Sequence, residues 1–114
     1  MKSRLRILFV CAQNKWRSPT AEALYRSDPR LAVKSAGVRP SAKHYITAAD
    51  VEWADAIFVM DREQKAWIKK RFRDIRIPNI RVLDIPESLV YMDPELQRLL
   101  RLAIDPELDA LLTL

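Results

Sequence analysis

The segment Leu5-Arg6-Ile7-Leu8-Phe9-Val10-Cys11 runs into Ala12-Gln13-Asn14-Lys15-Trp16-Arg17 and then into Ser18-Pro19-Thr20-Ala21-Glu22. The first part is a near-continuous apolar run, the pattern of a central parallel strand covered on both faces. The last part places Ser before Pro, the pattern of an N-cap followed by proline at the first helical position. Ser18 is therefore expected to cap a helix through Leu24 and Tyr25 that Asp28-Pro29 stops.

The same alternation continues along the chain. Leu31 to Ser35 reads as a second strand ending at Ala36-Gly37, Arg39 to Tyr45 as a basic loop, and Thr47 as the cap of a short helix over Ala48 to Trp53. Ala56 to Met60 is a third strand. Asp61 and Gln64 form a capping box for a helix through Phe72 that turns Ala66, Trp67 and Ile68 inward. Ile80 to Leu83 is a fourth strand, followed by a loop from Asp84 to Met92. Asp93-Pro94 opens a last helix with Leu96, Leu99, Leu100, Ala103 and Ile104 at helical spacing, and a second Asp-Pro-Glu-Leu at Asp105 to Leu108 is expected to start a separate short turn. Right-handed crossovers then give an α/β three-layer sandwich: a four-stranded parallel sheet in the order 2-1-3-4 with helices on both faces. Residues 1–114 are expected to form one domain.

Composition narrows the chemistry. Of 114 residues, 49% are hydrophobic and 31% charged, an ordinary globular profile that argues against disorder. A lone Cys excludes a disulfide framework, a Cys-x-x-Cys pair and a multi-cysteine zinc site, and fits a reducing cytoplasm. The single Gly, Gly37, excludes dinucleotide and Walker A loops, and the single His, His44, makes a histidine metal site or a Ser/His/Asp triad a poor fit. No metal or other cofactor is expected. The net charge of +5 favours anionic partners. No segment is suited to span a membrane, and the basic start followed by six apolar residues is better explained as a strand than as a signal peptide.

The loop between the first strand and first helix carries the chemistry. Ligands in open parallel sheets bind beyond the carboxyl ends of the strands, where a helix N-terminus offers unpaired N–H groups. Five residues between Cys11 and Arg17 are enough for the loop to curl around a tetrahedral oxyanion, with Ala12, Gln13, Asn14, Lys15, Trp16, Arg17 and Ser18 supplying the cradle. Arg17 adds a two-pronged donor, and an arginine at a helix start opposes the helix dipole unless an anion is present. A thiolate in such positive surroundings is a competent nucleophile, and Ser18 can donate to its sulfur.

The string Val10 to Glu22 resembles the signature loop of the low-molecular-weight protein tyrosine phosphatases, Cys-x5-Arg-Ser followed by Pro and Ala-Glu. Ser35-Ala36-Gly37 and Val59-Met60-Asp61 resemble two further markers of that family in the same order. The resemblance implies that Cys11 forms a phosphocysteine, that Arg17 and the loop N–H groups stabilise the transition state, and that Asn14 braces the loop. It also implies that Ser35 and Asp61 support the loop, although Asp61 is equally explained as a helix cap. Three departures stand out: Val38 to Asp55 is short, Gln13 replaces a loop glycine, and Trp16 replaces a common second cysteine. Trp16 either walls an aromatic substrate or packs against the sheet.

The family's general acid lies after the fourth strand. This chain offers Asp84, Glu87 and Asp93, and the end of the strand favours Asp84; Leu89 and Tyr91 are candidates for an apolar rim. The implied substrate is a phosphorylated protein or small aryl phosphate, with inorganic phosphate as product. A non-catalytic phosphate or phosphoprotein binder is the alternative from another class. Arsenate reduction lacks its relay cysteines, and Arg39, Lys43, Lys69, Lys70 and Arg71 lack the stacking aromatics of an RNA module. Alkylation of Cys11 near neutral pH should be slowed by inorganic phosphate; a rate indifferent to phosphate would contradict an anion loop around this thiol.

Overall fold

The computed structural model describes residues 3–113. Its elements are β1 (Leu5–Cys11), α1 (Arg17–Tyr25), β2 (Leu31–Gly37), α2 (Ala48–Trp53), β3 (Ala56–Val59), α3 (Arg62–Arg71), β4 (Asn79–Val82) and α4 (Pro94–Leu112). The strands form one parallel sheet in the order β2-β1-β3-β4, as expected from the alternation. Because side chains alternate along a strand, Ile7, Phe9 and Cys11 enter one core with Ala21 and Tyr25 of α1 and Leu96, Leu100 and Ile104 of α4. Leu8 and Val10 enter the other, with Val51 of α2 and Ile68 of α3. Two apolar layers, one on each face, explain why β1 reads as a continuous apolar run.

Local sequence signals explain most helix boundaries. Thr47 accepts from the Asp50 N–H at 3.1 Å while the Asp50 carboxylate accepts from the Thr47 N–H at 2.9 Å, the reciprocal box that starts α2. Gln64 accepts from the backbone N–H of Met60 and of Asp61 at 2.8 and 3.0 Å. Two expectations fail here. Ala66 is exposed rather than inward, with Gln64 and Ile68 taking the buried positions of α3. Asp105-Pro106 starts no new helix: α4 runs through it, with Leu96, Leu100, Ile104 and Leu108 forming one buried stripe. An interior proline costs ~3 kcal/mol, and burial of Leu108 with packing of Leu111 and Leu112, up to ~1.5–3 kcal/mol for each side chain fully buried, offsets it.

Asp105 instead accepts the Tyr25 hydroxyl at 2.5 Å, joining α4 to α1, and the Arg101 guanidinium lies 4.7 Å from the centroid of the Tyr25 ring. Among the described residues no helix is long and apolar enough to cross a membrane. Burial, followed by the Asp105 carboxylate, raises the Tyr25 phenol above its ordinary value of 10.0. A raised acid group contributes stability below its unfolded value and loses it as pH rises, so the contribution should be whole at neutral pH and decline above pH 10. Tyr25→Phe should lower unfolding free energy by about 1–2 kcal/mol at neutral pH and flatten the alkaline decline in denaturant titrations.

Candidate active site

The loop after β1 is held by its carbonyls. Those of Cys11, Ala12 and Gln13 accept from the N–H groups of Val38, Arg39 and Lys43, each at 3.1 Å. All peptide bonds among the described residues are trans, so the N–H groups of Ala12, Gln13 and Asn14, which share those peptide planes, point away from the 38–43 segment. Among the described residues, the backbone N–H groups of Ala12 through Trp16 donate to no protein acceptor. Asn14 turns the loop at φ 52°, a left-handed conformation that asparagine tolerates better than most residues.

Ser18 does not cap α1. The N-cap position is Trp16, with no side-chain cap bond, and the Ser18 hydroxyl is fully buried within hydrogen-bond distance of Cys11 Sγ at 3.0 Å. Asn14 Nδ2 donates to the same oxygen at 2.9 Å, and the Ala36 carbonyl lies 3.3 Å away. With one proton to give, Ser18 can donate to the carbonyl while it accepts from a thiol, or turn that proton to a thiolate. The side chain expected to cap the first helical turn thus lies against the sulfur.

Arg17 is 4% exposed. Its Nη1 donates to Asp61 Oδ2 at 3.0 Å and to the Ile85 carbonyl at 2.8 Å, leaving the Nε–Nη2 edge without a hydrogen-bonded partner among the described residues. Glu87 Oε2 lies 3.8 Å from Nη2. Asp61, at the N-cap position of α3, accepts from Arg17 at 3.0 Å and from the Gln64 side chain at 3.1 Å. Ser35 reaches the site indirectly, donating to Glu22 of α1 at 2.6 Å.

Cys11, Ala12, Gln13, Lys15, Trp16, Arg17, Ser41, Lys43 and Glu87 line a cleft of about 750 Å³. Of the three candidate acids, only Glu87 lines it. Asp84 has φ 55°, which turns the chain so that Ile85 is buried and Asp84 faces a neighbouring groove with Arg62 and Trp67. Asp93 caps α4, accepting from the Glu95 N–H at 2.8 Å. Trp16 belongs to the cleft and to neither apolar core. Leu89 packs on the core beside α4, and Tyr91 is exposed outside the cleft, so neither forms the expected rim.

Several contributors escaped sequence reasoning. Thr20 accepts from the Met92 N–H at 2.9 Å and donates to the Trp16 carbonyl at 2.6 Å, tying the loop after β4 to the start of α1. Ser41 donates to Gln13 Oε1 at 3.0 Å, and His44 bonds the buried Asp50 at 2.8 Å, anchoring the 38–45 segment to α2. Gly37 is required by close approach rather than by φ: a Cβ there would lie 2.7 Å from the Ala12 carbonyl oxygen and 2.9 Å from the Asn14 nitrogen.

Aligned solved structures include the low-molecular-weight protein tyrosine phosphatase SP-PTP from Streptococcus pyogenes, 20% identical over 93% of this chain and 92% of that one, at a TM-score of 0.73. The chain has the fold of the low-molecular-weight protein tyrosine phosphatases. The tyrosine phosphatase Wzb from Escherichia coli K30, in complex with phosphate, is 21% identical over 96% and 99% of the two chains, at a TM-score of 0.74. YwlE arginine phosphatase from Geobacillus stearothermophilus is 25% identical over 94% and 96%, at 0.63. No protein-family model matches the sequence, and no curated protein does.

Gly37→Ala tests how the loop is held. The methyl group should displace the Ala12 and Asn14 peptides, cost about 1–3 kcal/mol in unfolding free energy, and weaken phosphate binding measured by titration. Retained phosphate affinity would show that the loop does not need this approach.

Proposed function

We propose that this protein is a cysteine phosphatase that hydrolyses phosphomonoesters, with tyrosine phosphate or another aryl phosphate as substrate. The observation that carries the reading is Cys11 Sγ at the base of a loop whose backbone N–H groups from Ala12 to Trp16 have no acceptors among the described residues, closed by a buried Arg17. A non-catalytic phosphate binder needs the cradle but gives no reason for a sulfur there with Ser18 and Asn14 arranged behind it.

In the first step the thiolate attacks phosphorus, an S–P bond forms and the bond to the leaving oxygen breaks. The equatorial oxygens meet the loop N–H groups and the free edge of Arg17. Ser18 stabilises the sulfur as a thiolate before attack and as a leaving group afterwards. Glu87 protonates the departing oxygen, then takes a proton from the water that attacks phosphorus, breaking the S–P bond and releasing inorganic phosphate. Asp61 and the Ile85 carbonyl keep the guanidinium oriented through both steps.

The substrate assignment rests on Trp16, whose ring walls the cleft and suits an aromatic leaving group. Neighbours of this fold include tyrosine and arginine phosphatases. A phosphorylated protein is the substrate class, and an unpaired cysteine nucleophile fits the reducing cytoplasm.

Hydrolysis of an aryl phosphate by the wild-type chain should be abolished by Cys11→Ser with phosphate binding retained. Glu87→Gln should lower kcat about 10²–10⁴-fold for poor leaving groups, and Asp84→Asn far less. The reverse ranking would return the acid to Asp84, and a wild type that binds phosphate without turnover would make the chain a binder.

A further inference from the structure

The cleft has a charged rim that the chemistry above does not use. Lys15 and Lys43 both line it, and neither takes part in an ion pair among the described residues. The Lys15 ammonium is held 5.1 Å from the centroid of the Trp16 ring, at the wall of the cleft. Lys43 sits on a pinned segment: its N–H donates to the Gln13 carbonyl, Ser41 beside it holds the Gln13 side chain, and His44 is bonded to Asp50. One acidic group, Glu87, lines the same cleft against Arg17, while Glu63 and Asp84 lie in the adjoining groove with Arg39 and Arg62. Lys15, Lys43 and Arg17 against Glu87 leave the cleft lining with an excess of positive charge.

We propose that Lys15 and Lys43 select phosphorylated polypeptide segments in which acidic side chains flank the phosphoresidue. The proposal rests on the phosphatase reading and names its substrate class. Arg17 and the loop N–H groups are directed to the phosphoryl group, so the two ammonium groups meet what lies next to it. At the mouth of a cleft with protein on one side, their field is less screened than on an open surface. Each exposed pair is worth a factor of about 1.4–5, and replacing an acidic neighbour by a basic one converts attraction into repulsion.

The test compares two phosphotyrosine peptides identical except for Glu or Lys on both sides of the phosphoresidue. The ratio of their kcat/KM values cancels the fraction of active enzyme, so a partly folded variant still reports. The wild-type chain should favour the Glu peptide about tenfold at low ionic strength, and the ratio should shrink several-fold at 0.5 M salt, roughly, as screening shortens to a few ångströms. Lys43→Glu should bring the ratio to about one or invert it, chiefly through KM, and Lys43→Arg should restore it; Lys15→Ala should reduce it. A wild-type ratio near one, or a ratio unmoved by Lys43→Glu and by salt, overturns the proposal. If neither peptide is hydrolysed, the phosphatase reading fails, and the same ratio measured as Kd by calorimetric titration of the Cys11→Ser chain decides the charge preference on its own.

Discussion

Three backbone hydrogen bonds, from the N–H groups of Val38, Arg39 and Lys43 to the carbonyls of Cys11, Ala12 and Gln13, set the direction of the peptide dipoles around the cysteine. A planar trans peptide cannot turn its carbonyl one way without turning its N–H the other. The segment after β2 thereby decides which way the loop after β1 faces, and the lone glycine lets the two approach. A chain with one glycine shapes this loop by placing that residue beside it and giving the left-handed turn within it to Asn14.

The buried guanidinium poses a second constraint. A charge with 4% exposure needs partners, and Arg17 takes them from two further elements, Asp61 at the start of α3 and the Ile85 carbonyl after β4. These contacts place the C-terminal ends of β1, β3 and β4 around one side chain. They also tie the chain after β4 to the site through the Ile85 carbonyl, just after the left-handed turn at Asp84.

Sequence reading reached the fold because β1 carries the signal of a doubly covered strand, and because Thr47 and Asp61 mark helix starts with side chains that do cap them or stand at the cap. It grouped Cys11, Arg17 and Asn14 because they lie in one short loop, which the structure folds around the Ser18 hydroxyl and the cleft. It misassigned groups whose roles depend on distant partners. Ser18 has the pattern of a cap, but its hydroxyl lies against a sulfur seven residues back, and Asp105-Pro106 has the pattern of a helix start but lies inside an apolar stripe that continues past it. The strand-end rule favoured Asp84, whereas the structure lines the cleft with Glu87 and gives Asp84 a left-handed φ that the sequence pattern does not signal.

The N–H groups from Ala12 to Trp16, unpaired among the described residues, also have a thermodynamic consequence for the folded state. Unfolding returns those donors to water and scatters them, so an anion seated among them binds the native chain and not the unfolded one. Such a ligand adds RT ln(1 + [L]/Kd) to the unfolding free energy. With phosphate bound as proposed, the conformational stability of this protein becomes a function of the phosphate concentration around it, and its melting temperature a readout of how well its loop is filled.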